Sequence, residues 1–304
     1  MSEQKILPTS SREGEIRRVT LWGLAVNILL TVGKLLAGLL GRSAAMLADA
    51  AHSASDLATD ALVLGFVRVS GKPQDDSHDY GHGKYETLGA VIVGLVLIGV
   101  AAGIFIDSAE RIEAVVDGTG IPRPGMVALV AAAVSIVAKE VLYRYTIATA
   151  RKVESSMLNA NAWHHRSDAM SSVATLVGIA GARYLGEQWV ILDPIAAIVV
   201  GALIIKVAVD MIRPNLDELL ERSLPAETEA EILRIVSSEE GVADPHNLRT
   251  RRVGPNIVVE IHIRLDGQMT VCESHEVTRR IESHLRDRFG VGTIVTLHVE
   301  PLRA

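Results

Sequence analysis

Leu47-Ala48-Asp49-Ala50-Ala51-His52-Ser53-Ala54-Ser55-Asp56 is the stretch that decides the fold. It lies in an apolar run, residues 44–67, yet it carries Asp49, His52 and Asp56 at spacings of three and four residues. Such spacings place side chains on one stripe of a helix. Charged groups inside a membrane span are costly and usually mark a pathway or a site. The stretch therefore predicts a membrane helix with a functional polar face.

A second run, residues 158–184, repeats the pattern with Asn161, His164 and Asp168. The two runs together supply two His-x-x-x-Asp pairs. Two imidazoles and two carboxylates suit a four-coordinate site for a divalent cation, with zinc the natural occupant. The alternative is that these side chains brace the helices or line a water-filled gap, but two matched pairs favour a metal or proton site. The predicted ligands are His52, Asp56, His164 and Asp168, with Asp49 and Asn161 in support.

The overall composition indicates a membrane part joined to a soluble part. The chain has 304 residues, a formal charge of −6, 49% hydrophobic and 22% charged residues, and a mean hydropathy of +0.29. Apolar residues gather between residues 19 and 212, where runs are long enough to cross a hydrocarbon core ~30 Å thick. We predict six transmembrane helices at residues 19–40, 44–67, 87–110, 122–147, 158–184 and 189–211.

Several classes of protein are excluded by the same composition. Disorder is excluded because so much apolar surface requires burial. A disulfide scaffold is excluded because Cys272 is the only cysteine. The acidic balance gives no reason to expect nucleic acid as a partner.

Basic residues are unevenly distributed between the two sides of the predicted helices. Residues 1–18, which lack the apolar core of a secretory signal, share a side with the loops after helices two and four. Basic residues concentrate on cytosolic loops, so we expect 1–18 to be a cytosolic arm and both termini to be cytosolic. The basic residues on that side are Lys5, Arg12, Arg17, Arg18, Arg68, Lys72, Lys84, Arg144, Arg151 and Lys152.

The tail, residues 213–304, is predicted to be a cytosolic α+β domain. Its elements follow the order α-β-β-α-β, which fits a compact open-faced sandwich. Gly254-Pro255 supplies a turn between the two central strands. The predicted elements are a helix at 226–240, strands at 246–253 and 256–266, a helix at 271–289 and a strand at 293–300.

Two further groups of potential metal ligands lie outside the membrane helices. The loop after helix two is dense in them, although a solvated polar loop is the common alternative. In the tail, strand alternation places His262, His298 and Glu300 on faces opposite the apolar residues. Single exposed histidines are ordinary, but several that can converge favour metal binding. The loop candidates are Asp75, Asp76, His78, Asp79 and His82, and the tail candidates add His246 and His275.

These motifs resemble the cation diffusion facilitator family, divalent-metal transporters, in its bacterial zinc-exporting form. The resemblance spans nearly the whole chain. Besides the first stretch, it rests on Tyr80-Gly81-His82-Gly83-Lys84-Tyr85-Glu86, Trp163-His164-His165-Arg166-Ser167-Asp168 and Asn247-Leu248-Arg249-Thr250-Arg251.

The resemblance implies a homodimer in the bacterial inner membrane, with six helices per protomer and a metallochaperone-like, ferredoxin-like cytosolic domain. It implies that the four ligands of helices two and five form the transport site. It also implies a charge pair between Lys84 and Glu221 at the membrane–cytosol joint. The implied loop site is Asp75, His78 and His82, and the implied binuclear site between cytosolic domains is His246, His262, His275, His298 and Glu300.

Two positions depart from the well-studied exporter type, which has Asp at the positions of His52 and Glu300. An imidazole in place of a carboxylate makes the transport site less hard, which favours zinc over manganese or magnesium. The segment His164–Asp168 also resembles relatives linked to iron. The sequence assigns no role to His165, Arg166 or His284.

The expected function is efflux of zinc from the cytosol in exchange for protons, with Zn²⁺ as substrate and regulatory ligand and with no organic cofactor. The same transporter carrying iron(II), cobalt, nickel, manganese or cadmium is one alternative, and a non-transporting membrane metal sensor or assembly scaffold is another. An intramembrane metal hydrolase is disfavoured because the chain has no His-Glu-x-x-His segment. We therefore expect no enzymatic activity.

Overall fold

The computed structural model describes residues 9–70, 72, 74–153 and 155–302. Its first two thirds form six long helices, which confirms the predicted count. Residues 1–8 of the predicted arm lie outside the described residues. The helices are α1 Thr9–Gly41, α2 Ala44–Ser70, α3 Lys84–Val116, α4 Met126–Lys152, α5 Ser156–Tyr184 and α6 Leu192–Leu219.

The helices run beyond the apolar stretches that identify them. α1 begins at Thr9 and α3 ends at Val116, several residues outside the predicted spans. Hydropathy marks only the part of a helix that suits hydrocarbon, whereas backbone hydrogen bonding continues past it. Among the described residues, four helices are long and apolar enough to cross a membrane: α1, α3, α4 and α6. α2 and α5 contain the predicted polar ligands within their spans.

Small residues allow the helices of this part to pack closely. α2, α3 and α6 meet through Ala48, Ala101 and Ala197, all fully buried. A Cβ added to Gly178 on α5 would clash with the Cβ of Ala196 on α6. Close approach of backbones at small residues is how helices pack in membranes, where apolar burial alone does not drive their association.

The loop between α1 and α2 is tied to the start of α6 by a buried carboxylate. Asp193 accepts hydrogen bonds from Ser43 Oγ at 2.6 Å and from the Ala44 backbone N–H at 2.7 Å. It therefore satisfies a free donor in the first turn of α2 and lies at the positive end of that helix.

The tail folds in the predicted α-β-β-α-β order. Its elements are α7 Ala226–Ser237, β1 Ala243–Val253, β2 Asn256–Leu265, α8 Val271–Phe289 and β3 Ile294–Pro301. β2 is central, antiparallel to β1 and parallel to β3. Ile261 and Ile263 on β2 pack with Ile281 of α8 and Ile232 of α7 in the core. One face of the sheet is therefore covered by the helices, and the residues that alternate with Ile261 and Ile263 face the other side.

The described chain divides into two compact units. The first comprises residues up to 61 and residues 93–209, and the second comprises residues 62–92 and the chain from 210 onward. In the second unit, Gly83 packs against the β1–β2 turn, where an added Cβ would lie 2.9 Å from the Val253 carbonyl oxygen. Only glycine fits this approach of two backbones.

Gly178→Ala is expected to destabilise the helical unit by about 1–3 kcal/mol, because its methyl group forces α5 and α6 apart. The measurement is the thermal midpoint of the detergent-solubilised protein, followed by size-exclusion chromatography. Gly99→Ala is the control, since Gly99 on α3 has no neighbour within 4 Å of an added Cβ. Equal midpoints for the two variants would contradict the packing described for α5 and α6.

Candidate metal centres

The first candidate centre is formed by side chains of α2 and α5. His52, Asp56 and Asp168 each offer a ligand atom, and these atoms lie within 4.8 Å of one another. His52 and Asp168 are buried and Asp56 is half-buried. His52 Nδ1 and Asp56 Oδ2 are buried without a hydrogen-bond partner among the described residues. Buried polar atoms are almost always paired, so these two are open to a ligand.

His164, the fourth predicted ligand, lies at the edge of this cluster. Its Nδ1 is 3.8 Å from Asp168 Oδ1, and its side chain is 50% exposed. It is therefore adjacent to the three grouped ligands without being one of them. Asn161 lies one turn before His164 on α5 and is half-buried.

Two buried lysines stand beside the centre, and sequence reasoning missed both. Lys139 of α4 donates to Asp168 Oδ2 at 2.7 Å and to Asn27 Oδ1 at 2.8 Å. Lys34 of α1 lies 2.8 Å from Asp49 Oδ2. A basic residue within a predicted membrane span was the available signal, because intramembrane charges seldom lack a partner or a role.

The predicted supporting residue Asp49 belongs to a separate polar network. Its carboxylate accepts from Ser172 Oγ at 2.9 Å as well as pairing with Lys34. Lys34 also donates to Ser53 Oγ and to Ser172 Oγ, both at 3.0 Å. Asp49 is thus fully committed to protein partners that join α1, α2 and α5, which marks it as a structural residue.

The neighbours of His164 have distinct surroundings. Arg166 stacks over the rings of Tyr143 and Trp163, with its guanidinium carbon 4.9 Å and 5.4 Å from their centroids. These cation–π contacts hold its charge against aromatic faces. His165 is buried, and neither ring nitrogen has a hydrogen-bond partner among the described residues.

The loop before α3 contains a second group of potential ligands. Asp75, His78 and His82 bring ligand atoms within 4.8 Å of one another. His82 Nε2 lies 3.4 Å from Asp75 Oδ2, and the two imidazole rings are 4.3 Å apart. Asp76 and Asp79, also predicted as candidates, are exposed and do not belong to this group.

Asp75 is both the centre of the loop turn and a ready anionic ligand. Its Oδ1 accepts from Ser77 Oγ at 2.7 Å and from the backbone N–H groups of Ser77 and His78, each at 2.9 Å. Hydrogen bonds from the Ser77 side chain and backbone lower the pKa of Asp75 to about 2. The carboxylate is therefore ionised at any physiological pH, with Oδ2 directed to His82.

The third group forms a row across the sheet of the tail. His246, His262 and His298 occupy paired positions on β1, β2 and β3. Irregular pairing on both sides of His246 accompanies positive φ angles at Asp244 and Asn247. These bulges set the direction of the His246 side chain, a feature that residue alternation alone does not predict.

Glu300 lies among these histidines. Its carboxylate oxygens are 3.3 Å from His262 Nδ1, 3.6 Å from His246 Nε2 and 4.0 Å from His298 Nε2. Partial desolvation alone would raise the pKa of Glu300, but hydrogen bonds from His262 and Arg264 outweigh it and lower the pKa. His246, His262 and Glu300 group closely enough to hold an ion.

His275 does not join this group within one chain. It is exposed on α8, a helix whose buried residues pack against the opposite, apolar face of the sheet. Packing of α8 on that face therefore separates His275 from the histidine row.

Lys84 and Glu221 form the predicted charge pair. Glu221 also pairs with Arg251 of β1, at 3.0 Å from Nε. Three residues earlier, in the last turn of α6, Glu218 accepts from Thr87 Oγ1 and from the Gly254 backbone N–H, both at 2.9 Å. The end of α6 is thereby linked to the start of α3 and to the β1–β2 hairpin, all within the second compact unit.

Comparison with known proteins identifies the family. Residues 20–220 match the family described as "Cation efflux transmembrane domain", and residues 224–302 match "Cation efflux protein, cytoplasmic domain". The chain is 35% identical to manganese efflux system protein MneP of Bacillus subtilis, over 96% of this chain and 98% of that protein. It is 31% identical to cation-efflux pump FieF of Citrobacter koseri, over 94% and 93% respectively.

A solved structure, the metal-bound C-terminal domain of the CzcD transporter from Thermotoga maritima, is 34% identical to the tail. It covers 26% of this chain and 91% of its own, with a TM-score of 0.24. The full-length matches and both family matches agree in order and extent with the helical unit and the α+β tail. The chain belongs to the cation diffusion facilitator family, whose members are integral membrane transporters that export divalent metal cations.

Proposed function

We propose that this transporter exports zinc from the cytosol in exchange for protons. The observation that carries the proposal is the grouping of His52, Asp56 and Asp168 within 4.8 Å, with buried ligand atoms left open. His164 completes the set by a small movement toward Asp168, from which it is 3.8 Å away. Two imidazoles and two carboxylates around a small site suit tetrahedral zinc.

Manganese is the second candidate substrate, because MneP is a manganese efflux protein by name. Mn²⁺ favours oxygen ligands and higher coordination numbers, whereas His52 and His164 offer nitrogen. The ligand chemistry therefore favours zinc, and a direct comparison of the two metals tests the preference. Iron(II), cobalt, nickel and cadmium are tested in the same assay.

Proton exchange follows from the chemistry of the same ligands. Histidine binds metal only when neutral and carboxylates bind it only when ionised, so protons and metal compete for the site. A site that opens alternately to the two sides of the membrane can then release metal where protons are plentiful. The proton gradient would drive efflux without an organic cofactor.

We also propose the arrangement around this site. Residues 19–212 form the transport domain and residues 213–304 a cytosolic regulatory domain, with residues 1–18 and both termini on the cytosolic side of a bacterial inner membrane. The tail would dimerise, and metal would bind His246, His262, His298 and Glu300 with His275 supplied across the dimer. The exposed position of His275 supports this role, because it is free to approach a second copy.

Asp168→Ala is expected to abolish metal flux in protein that still folds, although loss of the carboxylate paired with Lys139 should lower its thermal midpoint. The substitution removes the carboxylate that lies between the His52–Asp56 pair and His164. The measurement is zinc uptake into liposomes that hold a zinc-sensitive dye, under an imposed pH gradient, repeated for the wild type with manganese and iron(II). Asp107→Ala on α3 is the control, because Asp107 is outside the cluster and pairs with Arg111. Near-normal flux from folded Asp168→Ala would refute the site assignment.

Asp75→Asn is expected to weaken metal binding in the loop by at least about tenfold while preserving the turn. Asparagine retains an oxygen that accepts from Ser77 and His78, but it lacks the anionic charge directed to His82. Asp75→Ala removes both and should also increase hydrogen exchange in the loop. Calorimetric titration with zinc measures affinity, and Asp76→Asn is the exposed control. Equal affinity for Asp75→Asn and wild type would exclude Asp75 as a ligand.

His262→Ala is expected to reduce the zinc sensitivity of transport and to leave binding at the helical site intact. His262 is the central member of the histidine row, so its loss divides the tail site. Flux measured against zinc concentration gives the sensitivity, and calorimetry counts the remaining sites. His284→Ala is the control, because His284 pairs with Glu239 away from the row. Loss of all zinc binding in His262→Ala would contradict a separate tail site.

A further inference from the structure

Lys139 is a buried cation that shares a carboxylate with the candidate transport site. Only 2% of the residue is exposed, and its ammonium donates to Asp168 Oδ2 at 2.7 Å and to Asn27 Oδ1 at 2.8 Å. Asn27 belongs to α1, Lys139 to α4 and Asp168 to α5. Side chains from three helices therefore hold the ammonium in place. Its hydrogen bond to Asp168 keeps the positive charge directly beside the carboxylate.

The two oxygens of Asp168 face different groups. Oδ2 is bound by Lys139, and Oδ1 lies 3.8 Å from His164 Nδ1. Lys139 thus restricts the rotation of the carboxylate and presents Oδ1 toward the imidazole. A carboxylate held in this way binds a metal through one oxygen, as tetrahedral zinc prefers, rather than through both, as larger oxygen-seeking cations often require.

The same ammonium opposes the charge of a bound metal. A divalent cation in contact with Asp168 would lie within a few ångströms of the Lys139 ammonium, and because Lys139 and Asp168 are both buried, the two positive charges would repel strongly. When the site is empty, the ammonium instead compensates a carboxylate that is otherwise costly to bury. A transport site must bind its ion well enough to load it and weakly enough to release it.

We propose that Lys139 is a positioning residue that sets the metal affinity of the transport site: it holds Asp168 when the site is empty and repels the metal enough to permit release. This inference rests on the proposed function, since it requires metal to bind at Asp168. Lys139 would then act in every transport cycle, in addition to any contribution it makes to the stability of the helices.

The test compares Lys139→Met with Lys139→Arg in the full-length protein. Zinc titration calorimetry isolates the transport site as the binding component that Asp168→Ala removes. Lys139→Met is expected to bind zinc at least about tenfold more tightly at that component, because the opposing charge is gone. In liposomes, both its KM for zinc and its kcat should fall, since release slows. Lys139→Arg retains the positive charge, so its zinc affinity should be closer to that of the wild type than the affinity of Lys139→Met is.

Lys34→Met is the matched control, because Lys34 is equally buried but pairs with Asp49, which is not among the grouped ligands. It is expected to change zinc affinity far less than Lys139→Met. Unchanged or weaker zinc binding in folded Lys139→Met, or an equal gain in Lys34→Met, would overturn the inference. If Asp168→Ala removes no binding component, the proposed function fails instead, so the two failures are distinguishable.

Discussion

The ion pair between Lys139 and Asp168 is the interaction on which the helical unit depends. A carboxylate buried among membrane helices is costly, and one removed partner would leave an uncompensated charge. The pair joins α4 to α5, and Asn27 extends it to α1. Asp168 can therefore be kept inside the unit, beside His52 and Asp56 of α2, without a bound metal. The polar centre and the polar connection between α1, α4 and α5 both depend on this compensated charge.

A second buried lysine–carboxylate pair has a similar arrangement but does not belong to a group of potential metal ligands. Lys34 and Asp49 connect α1 to α2, and Ser53 and Ser172 occupy the remaining polar atoms. Every partner in this network comes from the protein, whereas His52 and Asp56 each retain a buried atom with no hydrogen-bond partner in the described part of the chain. The contrast separates a structural polar network from a binding centre, although both lie on the same stripe of α2.

Much of this architecture could be predicted from the sequence, because the patterns that indicate it lie within single segments of the chain. Apolar runs identified six helices, and spacings of three and four residues placed the ligands of α2 and α5 on facing stripes. The partners of Lys34 and Lys139 could not be predicted, because each carboxylate is on another helix and no local spacing connects it to the lysine. His275 shows a similar limit. The family resemblance implied that it is a ligand between two cytosolic domains, but within one chain α8 packs on the opposite face of the sheet from the histidine row, so its role requires a second copy.

The most direct test of the account is the X-ray absorption spectrum of zinc bound to full-length protein in which His82→Ala and His262→Ala disable the other two groups. We expect four nitrogen and oxygen ligands at about 2.0 Å, with imidazole scattering from two of them. The same spectrum should disappear when Asp168→Ala is added. Six oxygen ligands without imidazole, or an unchanged spectrum after Asp168→Ala, would contradict a tetrahedral transport site built by α2 and α5.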